Sequence, residues 1–520
     1  MNEKKSVPFL ITLTGPSQSG KTLVLSKLKN IASVLREEGY SFEPQLVKKK
    51  TTRDYRIEEL KAIDDEIEID VEHVEKIPET CDLVYQTYGL RYALDTNEIR
   101  KLLSEGKTPY AVINDIRAVE ELKEEFPEQV LSIFLFRKVP DLSDFKREAG
   151  LRGNVSEAEV MARFDKAEAI YRMYIENIAL FDKVLLNAIE YNQEDLHDIH
   201  KNIIDTQLIN IIKGVFDGKV KLRKNSASLH SQIPKTFILA GNAASGKDEL
   251  IRAVKDLGKL QAEIIPKFTV RRQEEDDEDE MICRLRPKAE IVAALKQQCD
   301  ADRDKVLEEL DKVSYNIRDR FIKEWEEMKK AVLLKIPDWE KLFWSRVNSK
   351  ESEEQLFEDN PDYVDLYKVK KCGKILCRES DDTVLVEYEN QKYVIYHAKG
   401  NEKKLYGCKV DSDYKVKGKY KVLVASQYGV FNIFKNQLGA DNVAVIYSHS
   451  QISEDEFVSS TKDEAVKAKR AKFNEYLNDY VENIVYYDHV VIYAKAHLTN
   501  EQSLKEEELI DQMFRLFRAY

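Results

Sequence analysis

The 520-residue chain has little of what marks fibrous, disulfide-stapled or membrane-spanning proteins. Glycine contributes 18 residues and proline 12, too few for a collagen-like or low-complexity chain. Six cysteines, Cys81, Cys283, Cys299, Cys372, Cys377 and Cys408, show no zinc-type pairing, which predicts free thiols in a reducing compartment. No apolar run approaches the roughly 18 residues of a membrane span. The start, MNEKKSVPFLITLTG, lacks an export signal's small-residue cleavage pattern. Positive charge is not in excess either: 82 Lys+Arg against 94 Asp+Glu give −12, a field that repels nucleic acid and anionic membrane. The sequence predicts a soluble, cytoplasmic protein without nucleic-acid or membrane partners, in which any polyanion meets a local basic pocket.

What is present, 43% hydrophobic and 34% charged residues, suits globular domains, and the length suggests about two to four of them. A long-period echo organises the chain. PFLITLT, GPSQSGKT and LVLSKLKN read as strand, glycine turn and helix, and Thr236 to Val254 repeat that order as TFILA, GNAASGKD and ELIRAV. Basic segments follow each (TTRDYR, Thr51 to Arg56; TVRR, Thr269 to Arg272), then a Tyr-Gly (88–89; 406–407), then a Gly-Lys before a strand (106–107; 418–419). The order predicts a duplication with domains at 1–214 and 235–520, a connector at 215–234, and an insertion at about 287–392 in the second copy. Within the insertion, 288–334 has helical periodicity with dense charge and is a candidate protein-partner surface, while KILCRESDDTVLVEYENQKYVIYHA reads as strands. The acidic run 274–280 reads as a solvated loop.

Gly15 to Thr22 matches G-x-x-x-x-G-K-[ST] between a strand and a helix, the context its chemistry requires. Gly15, Pro16, Ser17, Gln18, Ser19 and Gly20 would turn backbone N–H groups toward phosphate oxygens; Lys21 would add charge and the Thr22 hydroxyl would ligand Mg²⁺. The second loop keeps Gly241, Gly246 and Lys247 but has Asp248 in place of the hydroxyl, which leaves a working site and a structural relic both open. Arginines suited to a transferring phosphoryl stand at Arg53 and Arg56, and at Arg152 and Arg163 around the start of a helix.

These motifs, with FDKVLLN ending at Asn187, resemble the guanylate kinase family of phosphate-loop nucleoside monophosphate kinases over residues 8 to 205, and in fragments from 236 to 520. The resemblance implies an α/β fold of two kinase-like domains, each a parallel sheet flanked by helices, the second with a helical and strand-rich insertion. It implies ATP and Mg²⁺ as cofactors, phosphate binding by Lys21 and Thr22, an acceptor grip from Arg53, Arg56, Tyr88 and Asp115, lid arginines at Arg152 and Arg163, and Asn187 near the adenine. Lys49 and Leu90 replace base-reading residues of the family, and YGLRYAL and AVINDIRA look more like ribose bisphosphate phosphokinases. The expected activity is transfer of the γ-phosphoryl of ATP to a small phosphorylated acceptor, a nucleoside monophosphate such as GMP or a ribose phosphate. The alternative is a non-catalytic nucleotide-binding regulatory or scaffold protein.

The second copy retains Arg271 and Arg470, with Glu274, Ser426, Ser459 and Tyr493 at the positions of Arg56, Asp115, Arg152 and Asn187. It is expected to be the eroded half. His197 and His200 lack a nearby third ligand and read as solvated. Tyr171, Tyr174 and Phe181 read as core.

Overall fold

The first strand, β1 (Leu10–Thr14), is buried at all five positions, as expected of a central parallel strand covered on both faces. A computed structural model describes residues 8–16, 19–55, 69–87, 89–137, 156–187, 196–223, 236–241, 262–269, 282–284, 289–314, 366–398, 401–411, 420–450, 479–493 and 502–519, with isolated positions between them. After β1 come α1 (Lys21–Glu37), β2 (Pro44–Leu46), β3 (Lys49–Thr51), β4 (Val71–His73), β5 (Leu83–Thr87), β6 (Leu90–Leu94), α2 (Thr96–Ser104), β7 (Thr108–Val112), α3 (Ile116–Glu125), β8 (Val130–Phe136), α4 (Glu157–Glu176), β9 (Lys183–Leu186) and α5 (Leu196–Phe216). Helix starts follow their caps: Asp95 accepts from the amides of Asn97 and Glu98, Asp115 from that of Ala118, and Ser156 from that of Glu159.

The later elements are β10 (Thr236–Gly241), β11 (Ala262–Ile264), β12 (Lys267–Thr269), β13 (Ile282–Arg284), α6 (Ala289–Ser314), α7 (Leu366–Cys372), β14 (Lys374–Ser380), β15 (Thr383–Tyr388), β16 (Gln391–Ala398), β17 (Asn401–Val410), β18 (Tyr420–Val424), α8 (Tyr428–Leu438), β19 (Val443–Ser450), β20 (His489–Tyr493) and α9 (Gln502–Ala519). The fold is mixed α/β. Two five-stranded sheets are wholly parallel, in the orders β2-β7-β1-β8-β9 and β11-β18-β10-β19-β20. In each, the chain leaves the central strand, β1 or β10, and later strands add on both sides of it. The carboxyl end of each central strand is therefore a switch point, where open α/β sheets form a crevice.

Contacts divide the chain into two compact units. One comprises 1–265 and 410–520 and holds both parallel sheets; the other comprises 266–409. The first unit also carries a four-stranded sheet, β4-β3-β6-β5, and the second a six-stranded sheet, β13-β12-β17-β16-β15-β14. The strand-rich part of the insertion forms β14, β15 and β16, a double hairpin. Its turn at Glu389 and Asn390 has φ of 50° and 62°, as tight two-residue hairpin turns require. The expected charged helix is α6, with buried Leu295 and Cys299 four residues apart. The acidic run lies outside the described residues, as do the side chains of His197 and His200. Tyr171, Tyr174 and Phe181 are core, with the Tyr174 ring stacked on Phe134 at 4.2 Å.

Two equivalences drawn from sequence need correction. Tyr406-Gly407 lies inside β17, where Tyr406 faces Thr269, whereas Thr51 faces Tyr92 and Gly89 sits at the turn between β5 and β6. Tyr406 therefore matches Tyr92 rather than Tyr88. The residue matching Asp115 is Gln427, the N-cap residue of α8, and not Ser426. The first slip followed a dipeptide that recurs at a different point of the strand pair; the second owes nothing to loop length, since residues 113–115 and 425–427 join strand to helix alike.

Residues expected to form the connector are partly packed. The Arg223 amide donates to Asp182 Oδ1, and its guanidinium donates to the Asp488 carbonyl and reaches the His489 ring.

Candidate phosphate-binding site

The segment after β1 must turn sharply to enter α1, and two glycines make that turn sterically feasible. A Cβ on Gly15 would stand 2.9 Å from the Leu135 carbonyl, and Gly20 has φ of 98° with the Asn187 amide where a Cβ would go. Residues with side chains are strained in that backbone region. Helix α1 begins at Lys21 with no side-chain cap, and a helix start is a place that favours an anion.

Two asparagines fix the loop. Asn114, after β7, accepts the Gly15 N–H at 3.2 Å, and Asn187, after β9, donates its Nδ2 to the Ser19 carbonyl at 2.7 Å. Asn187 is 3% exposed, and its Oδ1, like Ser19 Oγ, has no hydrogen-bond partner among the described residues. Buried polar atoms without partners are costly, so both are ready to meet a ligand. Lys21 Nζ donates to the carbonyls of Gly15 (2.7 Å) and Pro16 (2.5 Å), folding the cation over the loop. Thr22 is exposed at the start of the helix. The residues present fit a phosphate chain. For Mg²⁺ they supply the Thr22 hydroxyl, and no group of three or more His, Cys, Asp or Glu side chains forms a cage among the described residues.

Beside this loop lies a cleft of about 610 Å³ between β5 and the start of α3, lined by Tyr85, Arg91, Asn114, Asp115, Arg117 and Asn177 among others. Asp115 caps α3 and lines this cleft at once. Tyr85 is buried and its hydroxyl has no partner among the described residues. Burial, with Asp70 and Tyr92 near, pushes its phenol well above the ordinary range, so it stays a hydrogen-bond donor. Sequence reasoning missed Tyr85 and Asn114. Asn114 was visible only as the residue before a helix cap.

Arg53, the expected acceptor arginine, is held. Its Nη1 lies 2.9 Å from Glu59 Oε2, its Nη2 contacts Glu59 Oε1, and its Nε donates to the Tyr92 hydroxyl at 3.2 Å. Its side chain is 8% exposed. Burial lowers its basicity, but the bonds to Glu59 and Tyr92 outweigh this and raise it above the usual value. Glu59 also receives His73 Nε2 at 3.3 Å. Lys49, where the family resemblance expects a base-reading hydroxyl, is paired with Asp70 at 2.6 Å. Arg163 lies within α4 and pairs with Glu159 at 2.7 Å. Ser17, Gln18, Arg56, Tyr88 and Arg152 lie outside the described residues, as do Gly246, Asp248, Arg271 and Arg470.

In the second parallel sheet, Lys247 Nζ donates to the Gly241 carbonyl at 2.8 Å, as Lys21 does to Gly15. Ser426 Oγ donates to the same carbonyl at 3.1 Å, where Asn114 in the first sheet accepts a loop amide instead.

No family model matches the chain, and no curated protein matches it. Among solved structures, the chain is similar to the guanylate kinase from Anaplasma phagocytophilum, with 17% identity, coverage of 40% of this chain and 87% of that one, and a TM-score of 0.24.

Proposed function

We propose that the chain is a tandem pair of phosphate-loop kinase-like domains, 1–214 and 235–520 joined by 215–234. The first transfers the γ-phosphoryl of ATP, with Mg²⁺, to a small phosphorylated acceptor. The observation that carries this reading is the loop 15–22 at the switch point of a parallel sheet, clamped by Asn187 at Ser19 and opening beside a polar cleft.

The tandem reading is supported by non-local bonds that recur in both halves. Gln207 brackets Leu186, donating to its carbonyl and accepting from its N–H, and Gln512 does the same to Ile492. Lys123 pairs with Asp182 as Lys435 does with Asp488. Thr51 donates to the Arg91 carbonyl as Thr269 does to that of Leu405. Such details follow from shared backbone paths, not from composition.

Phosphoryl transfer needs little covalent chemistry from a protein; it needs alignment and charge. ATP and Mg²⁺ would supply the phosphoryl group and the neutralising cation. Lys21 and the α1 amides would hold the phosphates, with the Thr22 hydroxyl toward the metal. Arg53 and Arg56 would hold the acceptor's phosphate, and Arg152 and Arg163 would meet charge that develops during transfer. The second half, with Ser426 turned onto its own loop and Tyr493 in place of Asn187, acts as a structural or regulatory half. The test is ATP consumption by the full chain against a panel of nucleoside monophosphates and ribose phosphates. Nucleotide binding with no turnover on any acceptor would favour the regulatory alternative.

A further inference from the structure

Strand β9 is the last strand of its sheet and β20 the last of the other, so each presents one side with unpaired backbone groups. Each half supplies a tyrosine to the other's edge. Tyr480 Oη donates to the Val184 carbonyl at 2.8 Å, and Tyr174 Oη donates to that of Val490 at 2.6 Å. The arrangement is reciprocal, because Tyr174 and Tyr480 each stand ten residues before the matching valine of their own half. Both tyrosines are fully buried or nearly so, at 0% and 1% exposure. Without these hydroxyls the two carbonyls would face an aromatic interior, where an unsatisfied acceptor is expensive.

Strand β9 is short, and its two ends do different things. At Val184 it receives Tyr480. Two residues on, Leu186 is held through both its N–H and its carbonyl by Gln207, and the next residue, Asn187, clamps the phosphate loop at Ser19. The second half also reaches this frame through α5, where Asn210 donates to the Val481 carbonyl at 3.0 Å. A strand of four residues held at both ends has few soft dihedrals with which to absorb a displacement at one of them.

We propose that Tyr480, from the second half of the chain, is a positioning residue for the first phosphate loop, acting through Val184 and β9 on the Asn187 clamp. The inference builds on the reading of 15–22 as a phosphate loop, yet its first readout needs no nucleotide. It gives the eroded half a role that its own loop does not: it completes the first.

The test is hydrogen–deuterium exchange of the full chain, following the peptide that covers residues 15–25. Y480F keeps the ring packed against Tyr447 and Tyr487 and removes one buried hydrogen bond. It should speed exchange of that peptide about five-fold in the absence of ligand, the scale of one such bond. Y174F removes the reciprocal bond from the same interface but touches β20, so it should leave the peptide within about two-fold of the parent. N187A serves as the positive control for a loosened loop. Equal acceleration by Y480F and Y174F would mean general loosening of the interface and would overturn the proposal; so would no acceleration by Y480F while N187A accelerates. Adding ATP and Mg²⁺ separates the two readings. Protection of the peptide by ATP with Y480F unchanged sinks the link alone, whereas acceleration by Y480F with no ATP protection in the parent keeps the link and sinks the nucleotide reading.

Discussion

Lys183 offers a test of the packing between the two parallel sheets that needs no substrate. Its ammonium is buried and donates to the carbonyls of Ile484 (3.0 Å), Val485 (3.2 Å) and Tyr487 (2.6 Å). Asp488 and Asp182 favour its charge; Lys435 and Arg223 oppose it, and His489, at the matching position of the second sheet, is itself held neutral by burial. Burial dominates and depresses the lysine to about 7. Because the folded chain gives up this proton near pH 7 while the unfolded chain keeps it to its ordinary value, the unfolded state binds more protons between the two. Folding stability therefore rises with pH across that window, by about 1.4 kcal/mol per unit, or about 2.7 kcal/mol from pH 7.5 to 9.5. K183M abolishes the titration. Urea unfolding followed by circular dichroism at several pH values should show the parent gaining about that much on the variant's slope, whatever other groups titrate in both. Parallel curves would refute the reasoning and show that the three carbonyls hold the ammonium charged throughout.

Three further outcomes follow from the site. Because Glu59 occupies the guanidinium of Arg53, E59Q should free it and lower the half-saturating concentration of a phosphorylated acceptor by about three- to ten-fold, the scale of one charge-assisted bond partly offset by lost orientation. A rise instead would mean that Glu59 aims Arg53 rather than competing for it. With Lys49 paired to Asp70 and no base-reading hydroxyl there, selectivity among bases should be weak; GMP preferred over AMP by more than about 10³ in kcat/KM would contradict this. K247A should leave most phosphoryl transfer intact, and a loss as large as that from changing the first loop would assign the chemistry to both halves.

Much of this architecture was legible because strand and helix are local signals: LITLT, the helix from Lys21 and the strands of 374–398 fold as their patterns dictate. The loop's glycines could be read from spacing alone, since the turn tolerates nothing larger at Gly15 and Gly20. What spacing could not supply was anything set by packing across the sheet. Tyr85 looks like an ordinary alternating strand residue, and only its buried, unpartnered hydroxyl marks it out. Glu59 carried no signal, because its pairing with Arg53 depends on how the chain after β3 folds back. The match of Tyr406 to Tyr92 was hidden in the same way, because only strand register reveals it, whereas Gln427 was readable: it stands as far from Gly418 as Asp115 does from Gly106.

Phosphoryl transfer from ATP to the best acceptor of the panel, measured for the full chain and for K21A, asks whether the first loop carries the chemistry. Lys21 folds over the loop carbonyls of Gly15 and Pro16, so its loss removes a cation from the loop without disturbing the core. K21A should lower turnover by about 10² to 10³, or about 2 to 4 kcal/mol, with the unfolding midpoint unchanged. Near-full turnover by K21A would contradict this and place the chemistry outside the first loop.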